Sequence, residues 1–359
     1  MNKIAELISR LCPDGVEFKT LDSLVSYVQP GPYIVSSTEY DAHYSTPVLT
    51  AGQSFILGYT NEEEGIYNAS SQKPVIIFDD FTTSFHWVDF DFKVKSSALK
   101  ILKIKDKQEA DFRYIYMAMK TIHFIPTNHM RHWISLYSKF EIPLPPLNIQ
   151  KKIVSILDSF TSLIDKMKQE VEMRKKQMEY YLNILICKDN VAARLFGDIG
   201  VVQRGKRVVR KELALQGCIP VFQNSLTPLG YYQYSNIPAN NTFIISAGTA
   251  GEIGFSAKPF WAADDCLVIS SVLCDSKYLY YYLKTQEQFL KSQIRGGAMK
   301  RLSRETIEKL EIPVPSLEKQ HQIASILDTF ETYISKLEKM IELRQKQYEY
   351  YREKLLTFE

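Results

Sequence analysis

Cysteine is scarce in this chain: its 359 residues include five, Cys12, Cys187, Cys218, Cys266 and Cys274, with no CxxC pair among them. An odd, scattered set makes neither a disulfide framework nor a zinc site, so the thiols read as reduced and the expected compartment is the cytoplasm. Long apolar runs are missing too. No window approaches 18 uncharged apolar residues, which argues against a membrane span, and MNKIAELISRLCPDG lacks the apolar core of a secretory signal. Charge of one sign is not in excess either, since 44 basic against 41 acidic side chains leave +3. So small a total neither requires nor excludes a polyanionic partner, and local patches matter more than the sum.

Motifs of self-contained chemistry are also lacking. His43, His86, His123, His129, His132 and His321 are scattered, without HExxH or Cys–His spacing. Neither GxGxxG nor a Walker loop occurs, and GTAGEIG at 248–254 has no GK[ST] ending, so it reads as a tight turn between strands. An NPPY-type adenine-methylation signature and a nuclease set of two carboxylates with a lysine are both missing. Asp79–Asp80 and Asp264–Asp265 are adjacent carboxylates near strand ends, where turn or surface roles are as natural as catalysis. No residue is assigned a catalytic or metal-ligating role.

What the chain does contain is one long unit twice. EIPLPPLNIQKKIVSILDSFTSLIDKMKQEVEMRKKQMEYY at 141–181 returns 170 residues later as EIPVPSLEKQHQIASILDTFETYISKLEKMIELRQKQYEYY at 311–351. In the first copy Ile153, Ile156, Phe160, Ile164, Met167 and Val171 recur mostly three and four apart. Ile323, Ile326, Phe330, Ile334, Leu337 and Ile341 keep that rhythm in the second. This is an apolar seam that demands a partner helix. Arg174 and Arg344 interrupt it at matching places, either as a register-setting polar contact or as a basic stem lying along the seam. About 35 residues at 1.5 Å each make a helix of roughly 50 Å. Antiparallel pairing of the two helices would place one globular unit at each end; the alternative is that each helix packs on its own domain.

Between the helices the sequence turns to short apolar and aromatic runs, such as 73–81, 85–92, 98–104, 241–248 and 266–270, which read as strands of a mixed sheet. Each globular part adds a helix, over 112–121 and 277–292. A fainter repeat relates 47–59 to 220–232 and 21–31 to 196–206. The fold class is therefore α/β (α+β), divided as 1–148, a helix 149–187, 188–317 and a helix 318–359.

The basic clusters carry the functional signal. QRGKRVVRK at 203–211 holds Arg204, Lys206, Arg207, Arg210 and Lys211. QIRGGAMKRLSRE at 293–305 holds Arg295, Lys300, Arg301 and Arg304 around Gly296 and Gly297, where bare backbone can approach phosphate oxygens. TNHMRHWISLYSK at 127–139 offers Asn128, Arg131, His132 and Lys139 at a comparable distance before the first EIP. An isolated charge run is more often a solvated face, but its recurrence before both EIP segments favours DNA contact. His43, Gln53, Asn224 and Ser225 are candidates for reading bases, on side-chain type and loop position.

LCPDGVEFKTL (11–21), GDIGVVQRGKR (197–207), RGGAMKRLS (295–303) and the two EIPxPxLxxQxxIxxILDxF junctions together resemble the specificity subunits of type I restriction-modification systems, over essentially the whole chain. The resemblance implies two target-recognition domains separated by two long antiparallel helices forming a coiled-coil-like spacer, each domain gripping half of a split, asymmetric sequence in double-stranded DNA. It implies a non-catalytic subunit whose helices dock modification (adenine methyltransferase) and restriction (motor-nuclease) subunits, with S-adenosylmethionine, ATP and Mg expected on those partners and no cofactor on this chain. Arg295, Gly296, Gly297, Lys300 and Leu302 fall on the family's pre-junction element. The first unit departs from it with NHMRHWIS, and its YVQPGPYI lacks the QRGK run. Alternatives are an orphan or exchangeable specificity subunit, a purely structural coiled-coil adaptor, and a self-contained nuclease or methyltransferase.

Overall fold

The computed structural model describes residues 6, 10–13, 15–52, 54–126, 130–187, 191–214, 216–294 and 301–358. The chain forms two compact units, one of Met1–Lys166 with Ile341–Glu359 and one of Met167–Met340. Each therefore combines a globular part with the first turns of one long helix and the last turns of the other.

The first unit contains β1 (Phe18–Thr20), β2 (Val25–Val28), β3 (Thr46–Leu49), β4 (Ile56–Thr60), β5 (Val75–Asp79), β6 (Phe85–Val88), β7 (Lys93–Val94), β8 (Leu99–Ile104), α1 (Phe112–Met119), β9 (Glu141–Pro143) and α2 (Leu147–Cys187). Its strands make a four-stranded sheet in the order β2-β8-β5-β6, a three-stranded sheet β4-β3-β7 and the pair β1-β9. The first four residues of β5, VIIF, are apolar and buried because the strand is covered on both faces. Alternate side chains serve different cores: Ile76 and Phe78 join α1 and the long helices, while Val75 and Ile77 join Val88, Phe92 and Val94.

The second unit repeats the plan with β10 (Ala193–Leu195), β11 (Gly200–Arg204), β12 (Ile219–Phe222), β13 (Gly230–Tyr232), β14 (Asn241–Ile245), β15 (Ile253–Ser256), β16 (Trp261–Ala262), β17 (Cys266–Ser271), α3 (Ser276–Thr285), β18 (Glu311–Pro313) and α4 (Leu317–Leu356). Its sheets run β11-β17-β14-β15, β13-β12-β16 and β10-β18, the same orders strand for strand. In β14, Ile244 enters the α3 core, while Phe243 and Ile245 enter a second one with Phe260. The helix expected over 277–292 is broken at Gln286, whose backbone (φ −93, ψ 1) leaves the α-helical region and starts a separate helix at Glu287.

The long helices have 41 and 40 residues, about 60 Å each. They start at Leu147 and Leu317, two and one residues ahead of the expected bounds, because the proline turn leads straight into the first helical turn, and α4 ends at Leu356. In the first unit Ile149, Ile153 and Leu157 of α2 share a core with Leu355 and Leu356 of α4, and the rings of Phe160 and Tyr351 lie 5.5 Å apart. In the second, Lys175 pairs with Glu338 at 2.9 Å and Tyr181 packs on Phe330 at 5.5 Å. As α2 advances from 175 to 181, its partner in α4 recedes from 338 to 330, so the helices run antiparallel there. Both readings of the helices are realised within each unit: they pack on the globular part and on each other.

Ile153, Ile164, Met167, Val171, Ile323, Ile334 and Leu337 are buried, and Ile156, Phe160, Phe330 and Ile341 are half-buried. Ile326 departs from the expected seam, being 43% exposed, because the neighbouring Leu327 takes the inward position as Leu157 does in α2. A 4-3-4 step from Ile153 through Leu157 and Phe160 to Ile164 fits the helix as well as the 3-4-4 step through Ile156. Arg174 is half-buried and is satisfied within α2 by Glu170 and Gln177, both at 2.8 Å, while its guanidinium lies 5.5 Å from the Tyr333 ring centre.

Candidate nucleic-acid interface

Each globular part is fixed to its helix by the same joints. The EIP strands pair with β1 and β10, and the hydroxyls of Tyr114 and Tyr278 donate to the carbonyls of Pro143 and Pro313 at 2.8 and 2.9 Å. Arg113 meets Asp158 at 2.9 Å and lies over Trp87 and Tyr116; Lys277 meets Asp328 at 2.9 Å and lies over Phe255 and Tyr280. Burial, with Glu331 and Asp328 alongside, pushes the Tyr280 and Tyr281 hydroxyls up, so both stay neutral donors to those carboxylates.

On these frames the two units present arginine at equivalent places. The N–H of His132 donates to the carbonyl of Asp80 at 2.8 Å, just beyond β5; the N–H of Leu302 donates to the carbonyl of Ser246 at 2.9 Å, just beyond β14. The residues before them, Arg131 and Arg301, are both exposed. His132 itself is not available to a phosphate: it is 4% exposed and stacked edge-on to Phe124 at 5.4 Å. It occupies the place of the core residue Leu302, so its polar type misleads. Lys139 is exposed in the turn Tyr137–Lys139.

In the second unit several expected residues converge on the end of the main sheet. Arg204 is exposed and its Nε donates to the Asp264 carbonyl at 2.7 Å. Gly205 admits the neighbouring chain, because a Cβ there would stand 2.1 Å from the Ala263 carbonyl oxygen. Lys206 is exposed while its backbone holds Trp261 and Ala262. Arg301 reaches Asp265 at 3.4 Å, an ion-pair distance without hydrogen-bond geometry. Asn224 is exposed on a loop whose carbonyl takes the Thr249 N–H, and Gly248 (φ +84) allows that approach. The GTAGEIG segment is thus the expected turn, between β14 and β15. Arg207, Arg210 and Lys211 are exposed nearby in sequence; Arg304 is exposed but paired with Glu308 on its own turn.

Ser225 is turned to the Thr227 carbonyl, and exposed His43 to Asp41 at 2.7 Å. Asn128, Arg295, Gly296, Gly297, Lys300 and Gln53 lie outside the described residues. Among the described residues no His, Cys, Asp and Glu cluster could hold a metal, and no helix is long and apolar enough to cross a membrane. The arrangement offers guanidinium and ammonium donors at loop ends, which suits phosphate and base edges.

Sequence reasoning passed over a buried ion pair in the first unit. Lys100 and Asp80, each with a side chain 1% exposed, stand 3.3 Å apart, and the second Asp80 oxygen accepts the Trp133 N–H at 3.0 Å. The signal was a lysine in the otherwise apolar start of LKILKI. Gln150 and Gln320, at the Q of each EIPxPxLxxQ junction, are both fully buried.

A family model described as the type I restriction modification DNA specificity domain matches twice, over residues 13–173 and 189–345. The Escherichia coli type I restriction enzyme EcoR124I/EcoR124II specificity subunit is 36% identical, across 96% of this chain and 95% of that protein. Among solved structures, the S subunit of a type I restriction-modification system from M. genitalium superposes with a TM-score of 0.72 at 17% identity, covering 95% of this chain and 96% of that one. A chain from a study of complex assembly in the type I system gives 0.53 at 12% identity, covering 96% and 98%. These two likenesses concern the fold.

Proposed function

The chain belongs to the type I restriction-modification DNA specificity family, and from that premise we propose that it is the non-catalytic scaffold of such a system, binding a bipartite, asymmetric DNA target with one half-site per unit. In this reading it docks adenine methyltransferase and motor-nuclease subunits, which carry S-adenosylmethionine, ATP and Mg. The observation that carries it is a duplicated frame with unlike loops: Arg131 and Arg301 hold equivalent positions at the ends of matching sheets, while the loops around them share little sequence. Common grip with separate reading is what two different half-sites require. A purely structural adaptor would leave the paired arginines without a role.

The long helices act as the spacer. About 60 Å of helix corresponds to roughly 18 base pairs at 3.4 Å each, an upper bound within which two half-sites and a gap of several base pairs fit. Because the seam is occupied within each unit, docking falls to exposed apolar side chains beside it. Among them are Leu343 and Tyr350 in the first unit and Met173 and Tyr180 in the second.

The test is to map methylated adenines in DNA modified by this subunit with its methyltransferase partner. Two short sequences at one fixed separation are expected; a single contiguous sequence would refute the bipartite reading.

A further inference from the structure

We propose that Gln29 reads a guanine in the first half-site through a side-chain amide that Lys100 locks into a donor-only orientation. The inference rests on the DNA-binding reading above and names a residue that determines its specificity.

Gln29 is exposed and follows β2, where the ladder with β8 ends at Val28 opposite Ile101 and leaves Gln29 facing Lys100. The Lys100 ammonium donates to Gln29 Oε1 at 3.0 Å. An ammonium has no acceptor, so the amide oxygen must face inward and the NH2 outward, presenting two donors. Rotating the amide would set its NH2 against that ammonium. Lys100 cannot readily turn away, because it is buried against Asp80 and its Nζ lies 5.3 Å from the Tyr27 ring centre.

The position is the one the second unit gives to Arg204. Asp80 and Ser246 are equivalent through the amides they accept, so Phe78 matches Ile244 two residues earlier. Their ladder partners are Lys100 and Leu267, and Leu267 pairs in turn with Arg204. Both units thus place a donor-only group at this end of the sheet: a guanidinium over an apolar leucine in one, and a lysine-locked amide in the other. Guanine alone shows two adjacent acceptors, O6 and N7, in the major groove, whereas adenine requires an acceptor as well as a donor.

The experiment uses the complex of the full chain with its methyltransferase partner on DNA of randomised sequence, sequencing the modified sites. Gln29→Ala should lose roughly tenfold preference for guanine at one position of one half-site. Gln29→Glu keeps the Lys100 contact but turns an acceptor outward, and should exchange guanine for cytosine or adenine there. Lys100→Met frees the amide to rotate and should admit adenine; if that variant does not fold, the exposed Gln29→Glu decides. Unchanged base preferences in both Gln29 variants, or equal weakening on all sequences as a phosphate contact would give, overturn the inference while leaving the bipartite reading intact. A wild-type complex that selects no bipartite sequence overturns both.

Discussion

The side-chain oxygen of Gln320 accepts the backbone N–H of Asp275 at 2.7 Å, while its nitrogen donates to the carbonyls of Leu273 and Pro315 at 3.0 and 2.8 Å. One buried amide thereby ties the first turn of α4 and the proline turn before it to Asp275, whose carboxylate caps α3. Gln150 repeats the arrangement in the first unit, accepting from Asp111 at 2.8 Å and donating to Pro145 at 2.7 Å and Glu109 at 3.4 Å.

Replacing that amide leaves a donor and two acceptors without partners in a dry place. Gln320→Ala should therefore destabilise the second unit by about 2–4 kcal/mol, read by urea unfolding, with faster hydrogen exchange at the Asp275 amide. A variant within about 0.5 kcal/mol of wild type would show that the joint contributes little.

The equivalent arginines and the buried histidine should separate in salt titrations. Arg131→Gln and Arg301→Gln should each lower the slope of log K against log salt by about 1, on all sequences alike. His132→Leu, which installs the residue type found at 302, should leave the slope unchanged. A reduced slope for His132→Leu, with none for Arg131→Gln, would reverse the assignment.

The first unit also carries a pH-dependent contact. The Lys93 ammonium, with the Ser37 and Ser36 amides, holds the Glu62 carboxyl below its usual range. Lys93 itself is 3% exposed, 2.7 Å from Glu62. A depressed carboxyl contributes stability above its unfolded pKa and loses it as pH falls through the folded value. Glu62→Gln should thus cost about 1 kcal/mol at neutral pH, since solvent reaches the carboxylate and Lys93 keeps the Glu64 carbonyl, and the gap from wild type should narrow as pH falls below the ordinary carboxylate range. A gap constant with pH, measured by thermal unfolding, would exclude the ionic contact.

Much of the frame was legible because it is written locally and twice. The EIP turn, the three-four rhythm and the runs at 73–81, 98–104 and 241–248 each fix an element from neighbouring residues. What escaped depends on register. Ile326 and Leu327 satisfy the rhythm almost equally, and only packing chooses between them. His132 has the chemistry of a ligand contact but the position of Leu302, which becomes visible only when the amide bonds to Asp80 and Ser246 are compared. Lys100, Asp80 and Gln29 come from three separate stretches joined by the β2-β8-β5 ladder, and no spacing rule connects them.

The spacer is the claim on which the rest depends, and its length can be changed directly. Seven residues, two helical turns, inserted at matching heights in α2 and α4 add about 10 Å, or roughly three base pairs. Methylation mapping of that variant should return both half-sequences unchanged with the gap widened by about that amount. A gap that stays fixed while the half-sequences change would contradict the account.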